Sequence, residues 1–360
     1  MRILITGSTG YIGTRLLRLL AKEGHELFAL ARLPGNVKVP DEYQSQISVI
    51  SGDLLTLESL VDIPQNIDAA YYLVHSMSRK YEDFTRIDRQ AAQNFVTKIN
   101  ETSCQQIIYL TGLISNKKHL SKHLRSRYEV EKVLQKATAS LTALRSGIII
   151  GSGSASFEII RDLVEKLPIM VAPKWLKSNC QPIAIRDVLY YLHGVLGKKT
   201  CLDRVFDIGG PDVLSYGEML KKYAKKRKLH RWIITVPILT PRLSSYWLTL
   251  VTNTNYYLAR TLIESVKSDA VCQEHKIQAL LSQKCLSYEE ALEKAFERIE
   301  EDTVFSTWKD AWSSSGNAFL KPKVFSLPQF GCLSMGATLS FEKSPDVVFN
   351  RILKLGDRKG

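Results

Sequence analysis

The feature that most restricts this chain lies at its start. Residues 2–6, Arg-Ile-Leu-Ile-Thr, form a short apolar run that ends in Gly7-Ser8-Thr9-Gly10-Tyr11-Ile12-Gly13. Ile12, Leu16, Leu17, Leu19 and Leu20 then recur with the period of a helix over Tyr11 to Glu23. A strand that turns into a helix across three glycines has a mechanical reason for each one. One glycine makes the tight turn, the second lets backbone approach an anion, and the third lets helix pack on strand. The first amides of the helix then face that anion.

The same alternation continues. Strands are expected at His25–Ala31, Ile47–Ile50, Ala69–Val74, Gln106–Leu110 and Leu141–Ile150, and helices at Phe84–Asn100 and Leu124–Gln135. Strands separated by helices imply βαβ units and an α/β fold with a doubly wound parallel sheet of Rossmann type. This core is expected to fill residues 1–150. Residues 151–312 read as a less regular substrate-side region continuing the same fold. Residues 313–360 read as a polar linker, Ser313–Lys323, and an incomplete further domain, with a strand at Thr338–Glu342 and a helix at Pro345–Leu353.

Composition narrows the function. Apolar residues make up 45% of the chain and charged residues 24%, as in ordinary globular proteins. The cysteines Cys104, Cys180, Cys201, Cys272, Cys285 and Cys332 include no pair at metal-ligand spacing, so no metal is expected. No secretory leader precedes the first strand, which predicts reduced thiols and a cytoplasmic home. No run reaches about 18 uninterrupted apolar residues. The net charge of +13 fits a phosphorylated cofactor, an anionic membrane surface or nucleic acid. Its densest run, Lys221–Arg231, has only Tyr223 and Trp232 as aromatic neighbours, which argues against nucleic-acid stacking. The apolar Trp232–Tyr257 segment reads as core, a substrate lid or a membrane-surface patch.

The glycine spacing resembles the extended and atypical branches of the short-chain dehydrogenases. So do Gly52-Asp53-Leu54, Tyr72-Leu73-Val74-His75, Tyr109-Leu110-Thr111-Gly112, Gln181–Val188 and Phe206–Pro211, and the likeness covers about residues 1–300. It implies a nicotinamide dinucleotide held by Gly7, Thr9, Gly10, Tyr11, Ile12 and Gly13. Asp53 and Leu54 would lie beside the adenine, and Leu73 and His75 beside the nicotinamide ribose. The second strand ends in Arg32 with no carboxylate. A planar cation there suits a 2′-phosphate, so NADP is expected, with NAD as the alternative.

The catalytic motif is ambiguous. Tyr128-Glu129-Val130-Glu131-Lys132 has the family's Tyr-x-x-x-Lys form. A second register, through Ser126, Arg127 and Glu131 and the distance to Arg145, puts His123 in the tyrosine's place and Arg127 in the lysine's. Thr111 and Ser115 are candidate hydroxyls beside a substrate oxygen. Ser152, Ser154 and Ser156 would line a substrate cleft or cap a helix.

Degenerate motifs of this kind resemble the NmrA-like atypical branch, which includes reductases and regulators. His123–Arg127, Gly151–Glu158 and Leu239–Trp247 resemble a bacterial group of NAD(P)-binding oxidoreductases. Ser340–Phe349 resembles the opening of that group's START-like C-terminal domain, and the chain ends too early to complete it. Three readings follow: a reductase or dehydrogenase of an apolar small molecule, a cofactor-binding sensor without turnover, and a membrane-surface or nucleic-acid-associated protein using residues 221–231.

Overall fold

A computed structural model describes residues 1–75, 84–115, 120–236 and 269–300, with the backbone of strands at 323–329 and 332–338. The chain divides into two compact units, Met1–Ser315 and Gly316–Gly360.

The first unit is built on a seven-stranded sheet. Its strands are β1 (Arg2–Thr6), β2 (Glu26–Ala31), β3 (Ile47–Ser51), β4 (Ala69–Tyr72), β5 (Gln106–Gly112) and β6 (Ser140–Ser146), with a later strand at Arg204–Ile208 on the edge beyond β6. The order is β3-β2-β1-β4-β5-β6 and then that edge strand, all parallel. Strand order reverses between β1 and β4, which opens a crevice at their C-terminal ends. Such strands are covered on both faces and therefore read as continuous apolar runs.

One face is covered by α1 (Tyr11–Lys22) and a later helix at Ile185–Gly194. The stripe of α1 formed by Leu16, Leu17 and Leu20 is fully buried against Ile3, Ile5 and Tyr71. The other face is covered by α2 (Phe84–Ile99) and α3 (Lys122–Leu134). Phe95 of α2 meets Tyr72 of β4 edge to face, 4.9 Å between centroids. Full burial of each such side chain contributes about 1.5–3 kcal/mol.

The expected strand Leu141–Ile150 is two strands. β6 ends at Ser146, and Ile149–Ile150 (β7) pairs instead with a short strand at Ile183–Ala184. The chain leaves the main sheet here to start a third apolar cluster. That cluster lies under α4 (Ala155–Lys166) and two later helices, Tyr216–Lys226 and Tyr288–Glu300. The second unit shows an antiparallel hairpin, Lys323–Gln329 with Cys332–Thr338. Thr338, expected to open a strand, closes this one; the expected helix at 345–353 lies outside the described residues.

Candidate functional site

The turn between β1 and α1 is held by short polar side chains. The Thr6 hydroxyl donates to the Tyr71 carbonyl (3.0 Å) and accepts from the Leu73 amide (3.2 Å), tying β1 to the end of β4. The Ser8 hydroxyl donates to the Leu30 carbonyl, and that of Thr14 to the Ser8 carbonyl, both at 3.0 Å. Gly7 has φ +70°, and a Cβ there would lie 2.8 Å from the Leu73 oxygen. A Cβ on Gly13 would lie 2.1 Å from the Gly7 oxygen. Glycine is required at both. Serine hydroxyls cap α3 and α4, from Ser121 and Ser154, but α1 starts at Gly10 with no side-chain cap. The first turn of α1, beside Thr9, therefore carries no side-chain acceptor of its own N-cap.

Tyr11 is buried, which pushes its hydroxyl up to about 12. The Arg15 guanidinium lies 4.1 Å from its ring centroid and donates to the Ser152 carbonyl at 3.0 Å. Arg15, which sequence reasoning passed over, therefore ties the first turn of α1 to the turn after β7. Ile12 and Leu73 are partly buried against the core beside the loop.

Arg32 stands just beyond β2, half-buried, and no carboxylate pairs with it among the described residues. Asp53 turns its carboxylate back on its own loop, where Oδ1 accepts from the Leu55 amide (3.0 Å). The Leu54 side chain is buried in the core, and its carbonyl accepts from Asn94 (2.8 Å).

The far wall of the crevice is β5 and α3. Arg127 donates through Nε to Nε2 of His123 at 3.0 Å. The His75 and His123 rings are 6.4 Å apart, nearly perpendicular. Burial, then Arg127, then His75 hold the His123 imidazole well below its ordinary pKa. Surrounding protein and Arg127 push His75 the same way. His75 keeps an exposed surface, so the Arg127 charge is the cause that carries there. Tyr109 is pushed up to about 12 by burial, against the pull of Arg127 and the neighbouring Thr111 hydroxyl. Its own hydroxyl donates to the Arg127 carbonyl (3.2 Å). The Oγ atoms of Thr111 and Ser115 are enclosed, and among the described residues neither makes a hydrogen bond.

Two buried contacts fix α3 in this register. Ser126 donates to Asp88 of α2 (2.9 Å), and Glu131 pairs with Arg145 of β6 (2.6 Å). The helix therefore turns His123 and Arg127 toward the β4 end. Tyr128 and Lys132 are directed to each other instead: the ammonium lies 4.5 Å from the ring centroid and also pairs with Glu129 (3.5 Å). Lys132 is exposed.

Beyond β7, Ser154 caps α4, accepting from the Phe157 amide, and Ser152 is buried. The basic run 221–231 is largely engaged within the chain. Lys222 pairs with Glu289, Lys226 with Glu293 and Arg227 with Glu165, while Arg231 donates to the Val164 carbonyl. These contacts give much of the run an intramolecular role. Trp232 is exposed, and residues 237–257 of the expected apolar segment lie outside the described residues. Among the described residues no group of His, Cys, Asp and Glu could hold a metal ion, and no helix is long and apolar enough to cross a membrane.

Known proteins resemble this chain in sequence and in fold. Residues 1–167 match the NmrA-like family. A divinyl chlorophyllide a 8-vinyl-reductase of Arabidopsis thaliana is 21% identical over 62% of this chain and 57% of its own length. A ceramide reductase of Caulobacter vibrioides is 23% identical over 47% of this chain and 52% of its own length. The chain thus spans little more than half of either relative. Among solved structures, an NADPH-dependent quinone oxidoreductase from Escherichia coli, complexed with NADPH, superposes with TM-score 0.65 at 16% identity. That match covers 82% of this chain and 99% of the other. A nucleoside-diphosphate-sugar epimerase from Staphylococcus aureus gives TM-score 0.67 at 13% identity, covering 82% and 100%. These likenesses agree with the parallel sheet and its glycine turn, and residues 1–167 are similar to the NmrA-like family.

Proposed function

We propose that this chain binds NADP(H) across the C-terminal ends of β1, β2 and β4 and reduces an apolar carbonyl compound. The observation that carries the reading is the glycine turn, where a Cβ on Gly7 or Gly13 would strike backbone and where α1 begins uncapped. Such a cradle fits a pyrophosphate. The amides of Tyr11 and Ile12 would face it, with Thr9 beside them, while the Gly10 amide closes the turn onto the Gly7 carbonyl. Arg32, with no carboxylate pairing with it among the described residues, would hold the 2′-phosphate. Asp53 and Leu54 would flank the adenine; Leu73 and His75 would flank the nicotinamide ribose, with Arg127 in reach of its hydroxyls. The cofactor would supply the hydride. Thr111, Ser115 and His123 would meet the substrate oxygen. Two relatives named as reductases and a neighbour complexed with NADPH support the same chemistry.

Parallel titrations with NADPH and NADH, followed by nicotinamide fluorescence, test this. NADPH is expected to bind more tightly, and Arg32→Asp to lose about tenfold or more of that preference, the scale of one charge-assisted contact. Failure to bind either nucleotide overturns the reading. The mutual engagement of Tyr128 and Lys132 favours a second reading, a cofactor-binding sensor. Tight NADPH binding without consumption over a panel of aldehydes, ketones and enones would select it.

A further inference from the structure

We propose that Arg127 holds His123 as a neutral imidazole protonated at Nδ1, so that His123 offers its ligand a hydrogen-bond donor and not an imidazolium acid. This rests on the reading above only in taking the ligand to lie at the β4–β5 end of the crevice.

The argument begins with valence. A guanidinium Nε–H donates and never accepts. The 3.0 Å contact from Arg127 Nε therefore requires a lone pair on His123 Nε2. A neutral imidazole has one lone pair and one N–H, so the proton is on Nδ1. Protonating Nε2 would break this bond and set two cations against each other. The second registered neighbour, the His75 ring at 6.4 Å, would add further repulsion if charged. Among the described residues no carboxylate relieves this. Glu131 is committed to Arg145, and Asp88 receives the Ser126 hydroxyl. The groups facing His123 from the described elements are thus Arg127 on α3 and His75 beyond β4, and both oppose a positive charge. Nδ1 has no hydrogen-bond partner among the described residues.

The orientation of Arg127 is itself fixed. The Tyr109 hydroxyl bonds the Arg127 carbonyl, and the Ser126–Asp88 and Glu131–Arg145 contacts lock the helix on either side. Arg127 acts on the ligand through His123 and is in that respect a positioning residue. Its partner group belongs to an acceptor: a carbonyl or carboxyl oxygen, which the enclosed hydroxyls of Thr111 and Ser115 suit as well. No bond is made or broken at His123. An oxygen that gains negative charge in a reduction takes its proton from water.

The test is ¹⁵N NMR of the histidine-labelled full chain, with His123 assigned by comparison with His123→Gln. Spectra are recorded from pH 8.5 to 5.5. The expected result is an Nδ1–H tautomer that does not titrate in this range. In Arg127→Met, or in Arg127→Leu should the first not fold, the ring is expected to titrate at a higher pH than in the parent chain, still below the ordinary imidazole value because burial remains, with mixed tautomers. A wild-type His123 that titrates at or above about 6.5, or that rests as the Nε2–H tautomer, overturns the proposal. A second arm adds benzaldehyde, acetophenone or benzoate to the chain with NADP⁺. A downfield shift of the Nδ1 proton with any one supports donation; no response to all three overturns that half. The tautomer is read without turnover, so a chain that binds no nucleotide can still pass the first arm. A chain that binds NADPH but carries an imidazolium keeps the functional reading and loses this one.

Discussion

Gly13→Ala is the sharpest test of the glycine turn. In an unconstrained helix interior this change stabilises by about 0.5–1 kcal/mol, because alanine loses less backbone entropy on folding. Here the new Cβ would sit 2.1 Å from the Gly7 oxygen, 2.8 Å from its carbonyl carbon and 3.0 Å from the Ser8 Cα. All three are backbone atoms, so no side chain can swing aside. Relief requires the loop to withdraw by roughly 1 Å, against the Gly10–Gly7 bond (2.9 Å) and the Ser8 and Thr14 anchors. Overpacking of this kind costs about 1–3 kcal/mol, leaving a net loss of up to about 2.5 kcal/mol after the entropic gain. Thermal unfolding should fall by several degrees, at about 2–4 °C per kcal/mol. The shift would also carry the amides of the turn off the proposed pyrophosphate, so NADPH affinity should fall by about tenfold or more. Gly35→Ala is the control, since nothing lies within 4 Å of its Cβ position. Differential scanning fluorimetry and a nucleotide titration read both effects. If Gly13→Ala melts and binds like the parent chain, the close-approach argument is refuted.

Other outcomes follow from the same geometry. Glu131→Gln strips the buried partner from Arg145 and should destabilise by about 3–5 kcal/mol in chemical denaturation, far more than Lys222→Ala, whose exposed pair is worth about 0–1 kcal/mol. His123 has a folded pKa depressed below its unfolded value, so its stability contribution is present above about pH 6.5 and is lost as pH falls. Over that window unfolding free energy should drop by up to about 1.4 kcal/mol per pH unit, and His123→Gln should flatten the slope. Asp53→Asn keeps an acceptor for the Leu55 amide, so it should leave the melting temperature nearly unchanged while weakening any contact with an adenine amine.

The sheet was legible because each parallel strand is a nearly unbroken apolar run and each covering helix shows its own period. Gly7 and Gly13 announce a close approach that no other residue tolerates. What stayed hidden depends on contacts distant in sequence. The break after Ser146 comes from the pairing of β7 with residues 183–184, which no local pattern reports. The choice between two catalytic registers on α3 was undecidable from spacing alone, because Tyr128 and Lys132 satisfy a motif by sequence while Asp88 and Arg145 set the helix rotation from elsewhere. Arg15 drew no reading from the sequence; its role appears only when Ser152, 137 residues later, is folded beside it. The basic run at 221–231 showed its charge in the sequence but not its partners, since Glu165, Glu289 and Glu293 come from two other helices.

Arg15 also sets a thermodynamic condition. It grips Tyr11 with its face and Ser152 with its edge, so the turn proposed to cradle a nucleotide and the turn that opens the later region share one side chain. Ordering one of them prepays part of the entropy of ordering the other. Whatever factor a first ligand confers on the affinity of a second must be returned in the opposite direction, because the coupling free energy belongs to the pair and not to the sequence of arrival. Cutting the Arg15 link should therefore change how strongly two ligands sense each other before it changes how tightly either binds alone.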